Sequence, residues 1–354
     1  MAIEVRSFEG DATELAAFVS RNWQIQYRDD GYAPVLNPRY FEWMMPTFAS
    51  GDASNIIAAY EGRTLVGVMP SDPLPMTLMG QPIMTLGREY LTVDSGRLRG
   101  GIGRLLREGL GARCREIGAR FAVGFVNARG MAGKGRSFWN SMAAERVVIN
   151  RPSQWIRILD GVKASAAIHD RFERVSAWAC GVYGSPLAKG IRTGHVRPYK
   201  DSDLPACHNL FLTHMRDYDL AYRWDDKRLQ HHLGFPGLPT TLVCEESDGG
   251  LAGFAVCYVF DLVGRHSMRN AIIDIFIPKT KKLSQKIGLL LAAVDAARAQ
   301  DAHLVVALGP PVNSAAALFA GRFVPVPMSY RLLLAVFEAA PALKDVRRSF
   351  AIFR

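Results

Sequence analysis

The stretch YLTVDSGRLRGGIGRLL, from Tyr90 to Leu106, changes from a β-rich run to a glycine-rich turn and then to an amphipathic helix. A helix that opens directly after such a turn offers unpaired backbone N–H groups, and the positive end of its dipole, to an anion. Gly100, Gly101 and Gly103 allow the backbone to approach a phosphate closely. The stretch therefore predicts a phosphate-binding loop.

A turn of this kind also occurs in dinucleotide-binding folds. Here it lies near residue 100, it follows a predicted hairpin, and no parallel strand–helix repeat surrounds it. These surroundings favour a different nucleotide fold.

The chain is basic, with a formal net charge of +10. Six arginines cluster on and after the loop, at Arg97, Arg99, Arg104, Arg107, Arg113 and Arg115. The cluster suggests an anionic partner, either a nucleotide cofactor or a nucleic acid. Without the adjacent loop, a solvated helix face would be the simpler interpretation.

The composition predicts two globular domains, because 354 residues with 49% hydrophobic side chains can fill two cores. The segment after Met1 lacks the pattern of a secretory signal, and no apolar run is long enough to span a bilayer, so we expect a cytoplasmic protein without a membrane partner. Five scattered cysteines fit neither a disulfide framework nor a zinc site. The spacings of His208 with His214 and of His231 with His232 argue against a metal.

The periodicity of the first half predicts alternating strands and helices. We expect strands at Ile3 to Arg6, Thr85 to Val93 and Phe121 to Val126, a closing strand region at Arg146 to Leu159, a hairpin at 55–60 and 64–69, and helices at Asp11 to Asn22, Ile102 to Ile117 and Ser137 to Met142. The aromatic stretch from Tyr27 to Trp43 indicates core packing first and the wall of an acceptor pocket second.

The second half repeats this order after a helical linker that we expect to break at residues 181–186. We expect a strand and helix at His195 to Leu212, a hairpin at Thr241 to Glu246 and Leu251 to Phe260, strands at Ala271 to Ile277, His303 to Leu308 and Tyr330 to Phe337, and helices at Leu283 to Ala299 and Asn313 to Ala320. The shared order of elements indicates a duplication.

Residues 90–106 resemble motif A of the GNAT superfamily of N-acetyltransferases, and residues 125–127 and 137–147 are similar to the strand, helix and closing strand that follow it in that family. The family pattern R/Q-x-x-G-x-G/A places Leu98 at its first position, with Arg97 and Arg99 on either side. The resemblance implies an α+β fold (α/β, three-layer) of two tandem GNAT-like domains, each a mixed, mostly antiparallel sheet flanked by helices. We expect a catalytic domain at 1–160, a linker at 161–192 and a degenerate copy at 193–354.

The resemblance also implies an N-acetyltransferase that uses acetyl-CoA or another acyl-CoA, without a metal, on a primary amine of a small or medium acceptor. The expected cofactor-binding residues are Leu91, Val93, Arg97, Arg99, Gly100, Gly101, Ile102, Gly103, Arg104, Asn127 and Trp139. The backbone N–H near Val93 would steady the thioester oxygen. Glu89 is the candidate catalytic base, and its pairing with Arg88 or another cation is the alternative.

Other positions depart from the family or keep alternatives open. Members of the family often carry a tyrosine that protonates the leaving thiolate. This chain has Trp139 at that position, so water or Ser137 would supply the proton. Asn127 either bonds the pantetheine or forms a turn. The second copy keeps only Gly288 in the aligned segment 278–288, so we expect no cofactor there.

Two other functions remain open from the sequence. One is a Fem-type transferase that uses aminoacyl-tRNA, although the preserved loop makes nucleic acid the less favoured partner. The other is a non-catalytic CoA-binding or interaction protein, because Leu98 and Trp139 stand at two expected functional positions. The sequence leaves the oligomeric state open, with a homodimer as one possibility.

Overall fold

The computed structural model describes residues 2–29, 31–127, 146–150, 153–185, 195–279, 282–309, 315–326, 330–338 and 341–350. The helix predicted from Ser137 to Met142 lies outside these residues. The predicted interruption at 181–186 begins too early, because a helix continues through Gly181 to Gly184. That helix packs closely on its neighbours through its glycines, so here they serve packing rather than termination.

The first half begins as the sequence predicts, with a strand, a helix and a hairpin. Its strands are β1 (Ile3–Ser7), β2 (Ala33–Val35), β3 (Ile57–Glu61), β4 (Thr64–Met69), β5 (Ser71–Leu78), β6 (Gln81–Arg88), β7 (Thr92–Val93), β8 (Phe121–Asn127), β9 (Arg146–Asn150) and β10 (Ser153–Ile158). Its helices are α1 (Ala12–Gln26), α2 (Pro38–Met44), α3 (Thr47–Ser50) and α4 (Ile102–Glu116).

Two helices connect the halves, α5 (Gly161–Ala167) and α6 (Arg171–Gly184). The second half then follows with β11 (Val196–Pro198), α7 (Leu204–Met215), β12 (Leu220–Tyr222), α8 (Asp226–Gly234), β13 (Pro239–Glu245), β14 (Leu251–Val263), β15 (Ser267–Pro278), α9 (Leu283–Arg298), β16 (Leu304–Gly309), α10 (Ala315–Ala320), β17 (Val324–Val326) and β18 (Tyr330–Val336). The order of elements repeats that of the first half, as a duplication requires.

Three sheets are formed, and their neighbours are mostly antiparallel. One sheet has the order β1-β3-β4-β7, the second has the order β12-β5-β6-β8-β18-β9, and the third has the order β11-β13-β14-β15-β16-β10-β17 with β2 paired to β14. Each half has a parallel pair between its fourth and fifth strands, β6 with β8 and β15 with β16. The predicted fold class, two similar units of mixed sheets flanked by helices, is confirmed.

The two halves exchange their last strands. β10, from the first half, lies between β16 and β17 of the second, and β18 lies between β8 and β9 of the first. The shorter strands are exchanged as well, since β2 pairs with β14 and β12 pairs with β5. The closing region predicted at 146–159 is therefore divided between two sheets. The domain boundaries at 160 and 193 stay a prediction, and each sheet needs strands from both sides of them.

One hydrophobic core extends through both halves. It contains the aromatic side chains of Phe41 and Trp43 from α2, together with Trp224 and Tyr258 from the second half, all almost fully buried. A second core lies between α9 and its sheet, and a third lies between α4 and the first sheet. The shared core and the exchanged strands make the halves mutually dependent.

Within the described ranges, no helix combines the length and apolarity that crossing a membrane requires. All five cysteines are free thiols, and four of them are buried. Burial raises the pKa of Cys114, Cys207 and Cys257 to about 12, so these thiols stay protonated and pack as small apolar groups.

Candidate functional site

The fourth strand of the first half is interrupted at the point where the sheet divides. β6 ends at Arg88 and β7 begins at Thr92, so the single strand predicted from Thr85 to Val93 was wrong. Tyr90, inside the gap, has a left-handed φ of 48°, which a residue with a side chain rarely adopts. The backbone N–H of Glu89 donates to the carbonyl of Pro70, where the third strand also passes from one sheet to the other.

The interruption opens the sheet between the fourth and fifth strands. Before it, β6 pairs with β8, and the last paired residues are Gly87 and Val123. After it, β7 pairs instead with β4, with Val93 opposite Gly67. Among the described strands, none pairs with the other side of β7. A cleft therefore lies between β7 and β8.

The backbone of Val93 is directed into this cleft. The N–H of Asp94 donates to the carbonyl of Val66 at 3.0 Å, so Asp94 faces β4. Because successive residues of a strand face opposite sides, the N–H and C=O of Val93 point away from β4. Gln26 donates from Nε2 to the Val93 carbonyl at 3.0 Å. The Val93 N–H is thus oriented as the predicted oxyanion donor requires, and its role stays a prediction.

The loop after β7 is held in place by hydrogen bonds. Asn22 of α1 accepts a hydrogen bond at 2.8 Å from the N–H of Ser95, and Asp94 accepts one at 2.9 Å from Gly96. Arg99 and Gly101 follow with φ values of 71° and 80°. A Cβ atom added to Gly101 would meet nothing within 4 Å, so this side of the turn is open.

Helix α4 starts without a side-chain cap. The helices α3, α7 and α9 also start without one. Five others begin after an acidic or amide residue whose side chain accepts a backbone hydrogen bond, namely Asp11, Asn37, Asp160, Asp170 and Asp225. At the start of α4 stands Gly101, which has no side chain and no capping bond. The first amides of a helix have no partner within it, so those of Ile102 and Gly103 are available to bind an anion at the start of α4.

Two glycines bring α4 close to the sheet. A Cβ on Gly67 would lie 2.6 Å from Ile102, and a Cβ on Gly109 would lie 2.8 Å from Ile57 and 2.9 Å from Val5. Gly67 is also the residue that faces Val93 across β4 and β7. The absence of a side chain at Gly67 thus sets the distance between the open helix end and the cleft.

The arginines of the loop differ in their surroundings. Arg97 is held by Glu61 at the hairpin turn, and this ion pair lowers the pKa of Glu61 and raises that of Arg97. Arg104 lies one helical turn before Glu108, 3.4 Å away, and both are exposed. A phosphate that reaches Arg97 must therefore compete with Glu61, because the guanidinium is already paired.

Glu89 lies in the interior where the two halves meet. Its Oε2 atom is buried. Burial raises the pKa of Tyr258 well above its ordinary value, and the neighbouring groups Tyr40, Asp274 and Glu89 add to the shift. The adjacent Arg88 is also buried, which lowers its pKa to about 10. Glu89 thus borders a buried polar cluster that includes residues of both halves.

The end of the aromatic stretch packs into the core, as the first of the two interpretations from the sequence predicts, since Tyr40, Phe41 and Trp43 are buried, whereas Tyr32 is 37% exposed. The hydroxyl of Tyr40 forms a hydrogen bond with that of Tyr90 in the strand interruption. Trp23 lies edge-on to Tyr27 and 5.4 Å from Tyr90, and its Nε1 donates to Thr92 at 2.9 Å. These contacts fix the left-handed turn at Tyr90 from both sides.

In the second half the fourth strand, β15, is also irregular, but its sheet is not divided. Between β14 and β15 the pairing shifts after Val256, so Asp274 has no partner on the opposite strand. Asp274 is buried against His232 of α8, 2.6 Å away. Asp274 is the lone acid in the apolar run 271–277, and this isolated charge is the signal in the sequence that distinguishes it. Asn22, Gln26 and His232 carried no comparable signal.

Trp139 and Ser137 lie outside the described residues. Asn127 ends β8 opposite Tyr330 of the exchanged strand β18, so its backbone is at the far end of the fifth strand. Within the described ranges no three His, Cys, Asp or Glu side chains converge as a metal site would require. His208 instead contacts the carbonyl of Trp224 at 3.0 Å and lies 2.5 Å from Asp226.

Comparison with solved structures identifies the fold. The Saccharomyces cerevisiae N-myristoyltransferase with bound myristoyl-CoA superposes with a TM-score of 0.73 and 15% identity, over 96% of this chain and 83% of that one. A GCN5-related N-acetyltransferase from Kribbella flavida superposes with a TM-score of 0.55 and 15% identity, over 96% of this chain and 72% of that one. The chain has a tandem GNAT fold. No protein-family model and no curated protein sequence matches it.

The GNAT fold agrees with the mixed, mostly antiparallel sheets flanked by helices in both halves. It also agrees with the sequence resemblance, which rested on the segment from Tyr90 to Leu106. Fold similarity at 15% identity does not extend to individual site residues, so the assignments of Glu89 and of the loop arginines stay predictions.

Proposed function

We propose that this protein is an acyl-CoA-dependent N-acyltransferase, with acetyl as the transferred group and a small or medium primary amine as the acceptor. The proposal depends on one observation: α4 starts without a side-chain cap shortly after β7, the strand that pairs with β4 and no longer with β8. An open helix end binds a diphosphate, and an open strand edge binds an extended chain. An acyl-CoA contains both, one after the other.

The diphosphate would accept hydrogen bonds from the backbone N–H groups of Ile102 and Gly103. The pantetheine arm would then run along β7 in the cleft, which brings the thioester carbonyl to the N–H of Val93. This donor is fixed by the strand before the reaction starts, so it would stabilise the negative charge that develops on the carbonyl oxygen.

The acceptor must lose a proton before it can attack, because a primary amine is protonated at neutral pH. Glu89, at the strand interruption, would take that proton. The nitrogen lone pair then forms a bond to the thioester carbon, the C–S bond breaks with its electron pair on sulfur, the nitrogen gives up its second proton to water, and the thiolate takes up a proton from water. Amide and free CoA are the products.

The length of the acyl chain is the finer part of the proposal. The N-myristoyltransferase with bound myristoyl-CoA shares this fold at the higher of the two TM-scores given above, whereas the segment from Tyr90 to Leu106 resembles motif A of the acetyltransferases. Titration calorimetry with CoA, acetyl-CoA, octanoyl-CoA and myristoyl-CoA therefore forms the first experiment. We expect binding of acetyl-CoA and release of free thiol in the presence of an amine panel.

A loop variant tests whether binding occurs at α4. Gly101→Asp places a carboxylate in front of the helix end, and we expect it to abolish acyl-CoA binding. Gly101→Asn is the matched control, because asparagine accepts a left-handed backbone and carries no charge. Equal affinities for the two variants would remove the loop from the site.

The same experiments separate the two other functions. A protein that binds acyl-CoA but releases no thiol with any amine would be a CoA-binding or interaction protein. A protein that binds no acyl-CoA of the series and does bind aminoacyl-tRNA would be a Fem-type transferase. Either result would contradict the proposed activity.

A further inference from the structure

Helix α6 exposes its large apolar side chains and buries its small ones. The inner face carries Ala177, Gly181 and Gly184, and a Cβ on either glycine would come within 2.4 Å of the backbone of its neighbours. The outer face carries Phe172, Val175, Trp178 and Val182, with exposed fractions of 83%, 63%, 55% and 62%. This distribution is the reverse of that expected for a helix that only covers its own domain.

The outer face has the spacing of a helix-packing seam. Phe172, Val175, Ala179 and Val182 follow at intervals of three, four and three residues, and all four are exposed. Apolar residues at such intervals line the contact between two helices packed side by side. The inward residues Ala177 and Gly184 lie on the opposite side of the same helix. The seam therefore indicates a helix as the missing neighbour.

Neighbouring elements widen the apolar surface. Val162 of α5 is 69% exposed, Phe319 of α10 is 50% exposed, and the hydroxyl of Tyr183 donates to the Phe319 carbonyl at 3.3 Å. The exposed surface of these residues adds up to roughly 600–800 Å², which is at or above the largest apolar patch of a typical monomer and approaches what each partner contributes to a stable interface.

A shallow, open groove lies beside the seam. It has a volume of about 250 Å³ and is lined by Ser165, Arg174, Val175 and Trp178. The volume suffices for an aromatic ring such as that of Phe172. Phe172 lies on α6, and α6 also borders the groove. The same surface on two identical copies can therefore supply both the ring and the groove.

The charge around the seam also favours a copy of this chain over a lipid surface. From Asp160 to Ser185 there are three acidic and three basic residues, namely Asp160, Asp170, Glu173, Lys163, Arg171 and Arg174. Helices that lie on anionic membranes are enriched in lysine and arginine on their polar face. A balanced surface instead avoids repulsion between two identical copies.

We propose that a second copy of this chain packs on the outer face of α6, so that the two α6 helices lie antiparallel across a two-fold axis and Phe172 of each fills the groove of the other. An isologous contact of this kind needs a single self-complementary surface. The seam, the groove and the balanced charges all belong to that one surface, and none is part of the cleft at β7.

Sedimentation velocity of the full chain between 1 and about 100 μM tests the proposal, since an interface of this area gives a dissociation constant in the micromolar range or below. We expect a dimer for the wild type. Phe172→Glu and Val175→Glu should raise the dissociation constant at least about 100-fold, because each places a charge in the buried seam. These positions are exposed in one copy, so circular dichroism should show an unchanged fold.

Met84→Glu is the matched control, because Met84 is also an exposed apolar side chain but lies on β6, in another sheet. It should leave the dimer intact. A wild type that stays monomeric at every concentration would overturn the proposal, as would a dimer that both α6 variants leave unchanged. A monomer that binds vesicles of phosphatidylcholine and phosphatidylserine through Phe172 would assign the seam to a lipid surface and would overturn it as well.

Discussion

Nε2 of His232 lies 2.6 Å from Oδ2 of Asp274, and neither side chain is more than 1% exposed. The imidazole also stacks on Trp43 of the first half at a centroid distance of 4.6 Å. The second carboxylate oxygen, Oδ1, is buried, and no described residue donates a hydrogen bond to it. A single imidazole thus supports a buried acid and connects it to the other half of the chain.

Removing this imidazole should destabilise the whole protein. His232→Leu leaves the Asp274 carboxyl buried without its hydrogen-bond partner, and leaving a buried polar group unsatisfied costs roughly 1–3 kcal/mol. Urea unfolding followed by circular dichroism measures the change in the free energy of unfolding.

A second variant separates the pair from general packing damage. His232→Leu combined with Asp274→Leu removes both polar partners, so it should unfold at a higher urea concentration than His232→Leu alone. Glu246→Gln serves as a surface comparison, because it breaks the more exposed pair of Glu246 with Lys279 at 3.1 Å. Equal loss in the single and double variants would contradict a specific role for the pair.

Glu89→Gln should lower turnover while leaving acyl-CoA affinity nearly unchanged. The amide cannot accept the proton of an ammonium group, and general bases contribute about 10²–10⁴-fold to a rate. Single-turnover thiol release and titration calorimetry measure the two quantities separately. Glu89→Asp should recover part of the rate, whereas a purely structural role would lower affinity and stability together.

Gly67→Ala should weaken acyl-CoA binding through the position of α4. The added methyl would lie 2.6 Å from the Ile102 side chain and 3.1 Å from that of Leu106, so Ile102 at the start of the helix must shift away from the strand that faces Val93. Overpacking of this kind costs about 1–3 kcal/mol.

Gly109→Ala provides the matched control, because its methyl crowds Ile57 and Val5 against the middle of the same helix. We expect similar losses in the free energy of unfolding for both variants, and a loss of acyl-CoA affinity mainly for Gly67→Ala. Calorimetry together with urea unfolding makes the comparison. Equal affinities would show that the helix start tolerates the shift.

Local patterns in the sequence were sufficient for the loop and its helix. A β-rich run, closely spaced glycines and an amphipathic run each report on their own residues, so Tyr90 to Leu106 could be interpreted without knowledge of the rest of the chain. The same is true of the hairpin at 57–69 and of the core role of Tyr40, Phe41 and Trp43.

Strand partners could not be predicted in this way. The alternation of a strand shows which side is buried, but not which strand lies beside it, so the exchange of β10 and β18 left no trace in the sequence. Strand β5 was missed because it contains Pro73 and Pro75. The N–H of Arg223 donates to the Pro75 carbonyl, so the nitrogen and the carbonyl of Pro75 both face away from β6. The N–H that proline lacks is therefore not needed for the pairing of β5 with β6.

His214 should make the stability of the protein depend on pH. Burial lowers the pKa of this imidazole, a shift that Arg348 increases and Asp217 opposes. The unfolded chain therefore binds a proton more readily than the folded protein. The contribution of His214 to the free energy of unfolding is complete above about pH 6.5 and is lost as the pH falls through the lower pKa of the folded state.

Thermal unfolding between pH 7.5 and pH 5 measures this effect. His214→Gln should reduce the fall in the melting temperature between pH 7.5 and pH 5, because glutamine does not titrate. The melting temperatures of the variant and the wild type should therefore differ less at pH 7.5 than at pH 5. Part of the decline should persist, since burial also lowers the pKa values of His231 and His303. A variant whose melting temperature falls as steeply as that of the wild type would show that His214 does not couple folding to protonation.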